Sequence, residues 1–213
     1  MPLCLKVITS DDRGCTSIYN SPTINKTFPK SLQKWKKKLN NLDTSTVKEV
    51  DIYGTVFNIT KSPSLLWLQY RINHRILATN YLFLKMNIFR RDEMCTFYNK
   101  QTETLTHLWN CRVSQLFWNQ LETYVIENVN AHLEPFTVSD IIFCNPKFDI
   151  VLNKIILLGK NYLYKCRLNL QIPSLLGFKP QITTLYKIER FNALTNFQIR
   201  IFEVTWEKYT ILT

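Results

Sequence analysis

Apolar residues recur along the chain at intervals of three and four, the spacing that puts them on one side of a helix. In FPKSLQKWKKKLNNL, Pro29 and Ser31 are start signals and Leu32, Trp35, Leu39 and Leu42 form the stripe, which predicts a short amphipathic helix backed by Lys34, Lys36, Lys37 and Lys38. TKSPSLLWLQYRINHRILATNYLFLKM places Ser62 as a cap and Pro63 in the first turn. Its stripe is Leu65, Leu66, Leu68, Ile72, Ile76 and Leu77, which leaves Arg71 and Arg75 outside with His74 beside them as a surface or boundary histidine. RVSQLFWNQLETYVIENV repeats Val113, Leu116, Phe117, Leu121, Tyr124 and Val125, with Phe117 and Trp118 read as core. NAHLEPFTVSDIIFCNP reads as a loop closed by Pro146.

Two longer patterns follow. KFDIVLNKIILLGKNYLYKCRLNL predicts a helix with Phe148, Val151, Leu152, Ile155, Ile156, Leu163 and Cys166 inward, ended by Pro173. Lys160, Tyr164 and Arg167, at i, i+4 and i+7, form a row on its outside. A last helix, from Thr183 to Tyr209, carries Leu185, Ile188, Phe191, Leu194, Ile201, Phe202 and Trp206 as its apolar side. Residues 1–28 show no such period and read as a poorly structured leader. With 213 residues, 46% of them hydrophobic, and only 4 glycines and 8 prolines, the chain has material for a core but too few turns for a sandwich or barrel. The expected fold class is mainly α.

Charge is segregated. The net +11 arises in two windows without an acid: Lys61, Arg71, Arg75, Lys85, Arg90 and Arg91 within 52–91, and Lys154, Lys160, Lys165, Arg167, Lys179 and Lys187 within 150–187. Between them, residues 92–149 carry a net −5. Two basic stretches of this kind predict cationic surfaces for a polyanion, because phosphate contacts supply most sequence-independent affinity. The candidate contacts are Lys34, Lys37, Lys38, Arg71, Arg75, Lys85, Arg90 and Arg91 in the first half, with Lys160, Tyr164 and Arg167 in the second.

Six scattered cysteines do not read as a disulfide framework, and no apolar run in the sequence approaches the roughly 20 residues of a membrane span. With no secretory leader pattern at Met1–Cys15, the expected setting is intracellular, nuclear or cytoplasmic, with no membrane partner. One stretch, CTFYNKQTETLTHLWNC from Cys95 to Cys111, suggests a metal. Zinc knuckles take a Cys-x2-Cys turn followed by a His and a Cys. Here the second thiol is replaced by Tyr98, leaving Cys95, His107 and Cys111, of which the last two share a face if they lie on one helix. A fourth ligand can be sought at Asp92, Glu103 or Cys144. The pattern predicts a degenerate zinc-knuckle-like insertion in an irregular helical domain, with Zn2+ binding weakened or lost. It divides the chain into the leader 1–28, a basic helical segment 29–91, a knuckle-like segment with its following helix 92–146, and C-terminal long helices 147–213.

No Gly-x-Ser-x-Gly elbow, glycine-rich phosphate loop or His-Glu-x-x-His is present, so no catalytic residue is expected and the chain is not expected to be an enzyme. Cys95 or Cys111 paired with His107 as nucleophile and base has no oxyanion-hole motif behind it.

The same stretch, with Phe117-Trp118 after it and LLWLQYRINHRILATNYLFLKMNI before it, resembles the reverse-transcriptase zinc-binding segment near the C-terminus of non-LTR, LINE-type retrotransposon polyproteins. IILLGKNYLYKCR and KIERFNAL are similar to the terminal helices of those proteins, so the resemblance spans Trp35 to the end. It departs at Tyr98 and in a His-to-Cys gap one residue short. The resemblance implies nucleic-acid engagement during target-primed reverse transcription, with RNA or DNA and other polyprotein segments as partners. The reverse-transcriptase and endonuclease units are not expected in this stretch, whose single Asp-Asp pair is Asp11-Asp12 in the leader. The expected function is the non-catalytic nucleic-acid-binding C-terminal portion of such a polyprotein, present as a truncated copy. The alternatives are a helical protein-interaction module and a functionless relic.

Overall fold

The computed structural model describes residues 34–35, 51–87, 92–129 and 135–212. Among them the chain is mainly α, and the one β feature is an isolated antiparallel bridge from Met94 to Thr102. The helices are α1 (Asp51–Ile59), α2 (Pro63–Asn73), α3 (Asn80–Lys85), α4 (Leu105–Asn110), α5 (Arg112–Val129), α6 (Val138–Phe143), α7 (Ile150–Leu168), α8 (Leu175–Thr195) and α9 (Ile199–Trp206), closed by a 3-10 turn, Glu207–Leu212. Of the helix predicted around Trp35, only Lys34 and Trp35 fall within the described residues; both are helical. Lys37, Lys38, Arg90 and Arg91 lie outside them.

Helix α7 is the axis of the fold. Asp149 caps it by accepting the Leu152 N–H, and α1, α2, α6, α8 and α9 all pack on it. From Val151 to Tyr164 only Lys154 and Asn161 reach solvent in part, so the helix is buried nearly all round. Where it crosses α5, Gly159 leaves room for the Trp118 ring: a Cβ built there would stand 2.9 Å from it. Phe117, Phe178 and Tyr162 continue that contact with ring centroids 5.4 to 5.6 Å apart.

Burial overturns the predicted outer row. Lys160 (0% exposed), Tyr164 and Arg167 are all inside. Each has polar company from neighbouring elements that the helix's own sequence does not show. The Lys160 ammonium donates to Gln69 Oε1 on α2 at 2.5 Å, to the Ile142 carbonyl at 3.3 Å and to Cys144 Sγ at 3.3 Å. Burial without a carboxylate among these contacts lowers its pKa from the usual lysine range.

Helix ends also differ from the reading of the sequence. The segment expected to run on past Asn73 stops there, and Arg75 turns the chain with φ 58°. The last predicted helix starts earlier, at Leu175, passes through Pro180 and breaks at Phe197 with φ 57°. Phe178 and Ile182, fully buried, hold the turn that contains the proline. Because of the break, Ile188, Phe191, Leu194 and Ile201 are exposed rather than inward, while Phe202 and Trp206 are buried as predicted. Two elements were not anticipated: α1, and α6 inside the predicted loop, where Thr137 and Asp140 form a capping box.

Candidate metal centre and cationic surface

A tight turn builds the first half of the metal centre. Cys95 N–H donates to the Gln101 carbonyl at 2.8 Å, and the Glu103 N–H donates to the Glu93 carbonyl at 2.7 Å, so the segment doubles back on itself. At the tip, Asn99 takes φ 48° and donates to the Cys95 carbonyl at 2.8 Å. The second half is a bend between two helices. Thr104 caps α4 through the His107 N–H at 3.2 Å, which sets His107 in the first turn. Cys111 then leaves the helical conformation, with ψ 160°, and stands directly ahead of α5. His107 and Cys111 therefore do not lie on one helix, the condition under which their spacing would have put them on a shared face; the bend brings them together instead.

The ligand atoms of Cys95, His107 and Cys111 all lie within 4.8 Å of one another. Both thiols are buried, and His107 Nε2 is buried with no hydrogen-bond partner. An orphaned imidazole nitrogen beside two sulfurs is costly in a closed protein interior and suits a metal ligand. The Cys95 thiol hydrogen-bonds Cys111 and lowers its pKa to about 5, against the opposing effect of burial, with help from the Ser114 hydroxyl and N–H. The N-terminal end of α5 favours the same negative charge. That hydrogen bond and burial push the Cys95 thiol upward in turn. The Ser114 contacts and the start of α5 thus favour negative charge on Cys111 over Cys95.

Zinc fits this donor set with three protein ligands, which would tie the turn to the start of α5. None of the fourth ligands considered from the sequence joins the cluster. Asp92 accepts the Met94 N–H at 3.3 Å, and Cys144 lies against Lys160. Glu103, 0% exposed, is committed to holding the turn in place. Its carboxylate accepts the Asn80 N–H at 3.0 Å, the Thr96 N–H at 2.9 Å, the Thr96 hydroxyl at 2.7 Å and Arg167 Nε at 2.9 Å. Arg167 also donates to Asn80 Oδ1 at 2.8 Å. The arginine read as a nucleic-acid contact is therefore the strut between α7 and the metal turn. Neither Glu103 nor Ser114 stood out in the sequence as a supporting residue.

Of the two cationic surfaces predicted, the second does not assemble. Lys160 and Arg167 are buried, Lys154 pairs with Glu189 at 2.8 Å, and the Lys179 ammonium sits 4.0 Å from the centre of the Tyr124 ring. Lys165 and Lys187 remain exposed. In the first window Lys61 and Lys85 are exposed, as is Lys34 ahead of it, while Arg71 and Arg75 are half-buried. Arg75 lies over the Trp35 ring at 4.7 Å and donates to the Lys34 carbonyl at 3.3 Å; burial lowers its pKa. A groove of about 710 Å3 lies between the end of α1 and helices α8 and α9. Its titratable residues are Lys61 and the paired Lys154 and Glu189, so it offers no convergent acid and base. Among the described residues, no helix is long and apolar enough to cross a membrane.

No protein-family model matches the chain, and no curated protein matches it.

Proposed function

We propose that this chain is a non-catalytic nucleic-acid-binding module of the kind found at the C-terminus of LINE-type retrotransposon polyproteins, present as a truncated copy. The observation that carries the reading is the convergence of Cys95, His107 and Cys111, separated by up to sixteen residues, with their ligand atoms within 4.8 Å of one another, in a chain of net charge +11. Three of the four ligands of the zinc segment it resembles are therefore gathered, with Tyr98 in place of the fourth. The metal centre fastens the turn at 95–101 to α5, the Glu103–Arg167 pair fastens it to α7, and the charge for phosphates comes from Lys34, Lys61, Arg71 and Lys85. The reading has no catalytic step: the donors that converge are ligands and struts, and the setting is an intracellular one.

The test is a mobility-shift titration of RNA and DNA oligonucleotides with zinc-supplied protein between 50 and 200 mM salt. About three or four phosphate contacts predict a loss of affinity on the order of 50- to 150-fold over that range. Replacing Lys61, Arg71 and Lys85 by Gln should each lower the salt slope by about 0.9. Absence of binding, or binding indifferent to salt, would contradict the proposal.

One observation favours a second reading, a protein-interaction module. Ile188, Phe191 and Leu194 on α8, Phe197 at the break, and Ile201 and Val204 on α9 leave an apolar stripe in solvent.

A further inference from the structure

Helix α2 presents a face that its packing does not explain. Leu65, Leu68, Gln69, Ile72 and Asn73 are buried, so the fold is satisfied by the opposite side. At i, i+3, i+4 and i+7 on the outside stand Trp67, Tyr70, Arg71 and His74. Trp67 is 56% exposed and Tyr70 is 45% exposed, and their rings lie parallel within 7° with centroids 5.2 Å apart. The His74 ring follows at 4.2 Å from Tyr70. Such a ladder on the surface forfeits the burial that normally stabilises aromatic side chains.

The charge beside it is equally unspent. The Arg71 guanidinium is held between two rings, 6.0 Å from the centre of Trp67 and 5.6 Å from that of Tyr164. Its Nε is buried with no hydrogen-bond partner, and among the described residues it has no carboxylate partner. Other cations of the fold are paired with acids: Lys154 with Glu189, Arg167 with Glu103, Lys208 with Asp149. No acid occurs anywhere from 52 to 91. A fixed, unneutralised guanidinium flanking exposed parallel rings matches a ligand with both an anionic group and a flat π face.

We propose that the outer face of α2 is a base-stacking platform for single-stranded nucleic acid, with unpaired bases against Trp67 and Tyr70 and a phosphate at Arg71. The inference rests on the nucleic-acid reading above and narrows it. Duplexes offer phosphates but hide their base faces, so a platform that works by stacking selects single strands without selecting sequence. The same strip is a poorer match for an acidic protein segment, which would use Arg71 but leave the rings' faces without a planar partner.

The molecule supplies its own probe. Of five tryptophans, Trp35, Trp109, Trp118 and Trp206 are buried, so Trp67 is the exposed one and surface quenching reports on it. The experiment titrates the full chain into a dye-labelled 20-nucleotide oligo(U) or oligo(dT) and a dye-labelled 20-base-pair duplex at several salt concentrations, reading affinity from the dye's anisotropy and, in wild type, following Trp67 quenching with unlabelled strands. It is repeated with Trp67→Ala/Tyr70→Ala, which leaves every charge in place, after confirming an unchanged thermal melt. The expected result is quenching by the single strand and about a 10- to 100-fold loss of single-strand affinity in the variant, with duplex affinity and salt slope unchanged. Equal single-strand binding by variant and wild type overturns the platform while leaving the broader reading intact, as does a preference for duplex. Binding of neither polynucleotide overturns both. A change in self-association by the variant, with unaltered oligonucleotide affinity, would make the strip a contact between copies and also overturns the proposal.

Discussion

Removing the Glu103 carboxylate should cost more than any other single polar change. The side chain is fully buried, with four donors within 3.0 Å, and its pairing to Arg167 closes at 2.7 Å with the guanidinium also nearly buried. Glu103→Ala leaves an uncompensated guanidinium on α7, orphaned N–H groups at Asn80 and Thr96, and a Thr96 hydroxyl without its acceptor. Breaking a buried pair by deleting one partner costs about 3–5 kcal/mol, a large share of the 5–15 kcal/mol that holds a domain of ordinary stability. Arg167→Met removes the charge and keeps the volume, so it should cost less than Glu103→Ala although it too strands a charge. The double variant should be more stable than the sum of the single losses predicts, with a coupling of about 2 kcal/mol or more. Urea unfolding followed by circular dichroism measures all four proteins on one scale. Additive losses, or a Glu103→Ala cost below about 1 kcal/mol, would refute the claim that this pair fastens the metal turn to the central helix.

Trp206→Ala should cost about 3–5 kcal/mol in the same assay, since the ring is 1% exposed and its Nε1–H donates to Glu189 at 2.9 Å. Phe197→Gly should leave stability equal or raise it by up to about 1 kcal/mol, because the residue is almost wholly exposed and held at φ 57°; a clear loss would mean the ring contributes contacts. Asp149 gives a pH dependence of known sign. Burial opposes its ionisation, but Lys208, the Leu152 N–H and the Tyr209 hydroxyl outweigh that and hold it below the usual carboxylate range. Its contribution is present above the unfolded pKa and is lost as pH falls through the folded one, so Asp149→Asn should flatten the acid limb of a Tm-versus-pH curve. An unchanged limb would contradict it.

The apolar periodicity located α2, α5 and α7 because each buries a stripe or more, and that burial is what the spacing of three and four reports. It failed at helix ends for a physical reason. Stops are usually announced by glycine in the left-handed conformation, but this chain of 4 glycines turns at Arg75, Asn87, Leu170 and Phe197 instead. Nothing in those side chains announces a turn except at Asn87, so α2 was extended and α8 was joined to α9. Burial of Lys160 and Arg167 was hidden because the groups that satisfy them, Gln69, Ile142 and Glu103, come from up to 91 residues away. The cluster of Cys95, His107 and Cys111, which could hold a metal ion, was in contrast legible from residue types and order alone, though the bend that joins His107 to Cys111 was not. The α6 capping box was present in the sequence as Thr137-x-x-Asp140 but with Asp in place of the more telling Glu.

The claim that Cys95, His107 and Cys111 act as one metal site lacking a single thiolate is tested most directly by a cobalt(II) titration, competed with zinc, of the wild-type chain beside Tyr98→Cys. Sulfur-to-cobalt charge transfer reports thiolate ligation, and the intensity of the visible bands reports a closed tetrahedral site. The account predicts one equivalent bound weakly by wild type, lost in Cys95→Ser, His107→Ala and Cys111→Ser. Tyr98→Cys should bind tighter by orders of magnitude and melt higher when metal is present, since metal held only by the folded state adds its binding free energy to folding. Equal and tight binding by both proteins, or charge transfer that survives loss of His107, would contradict it.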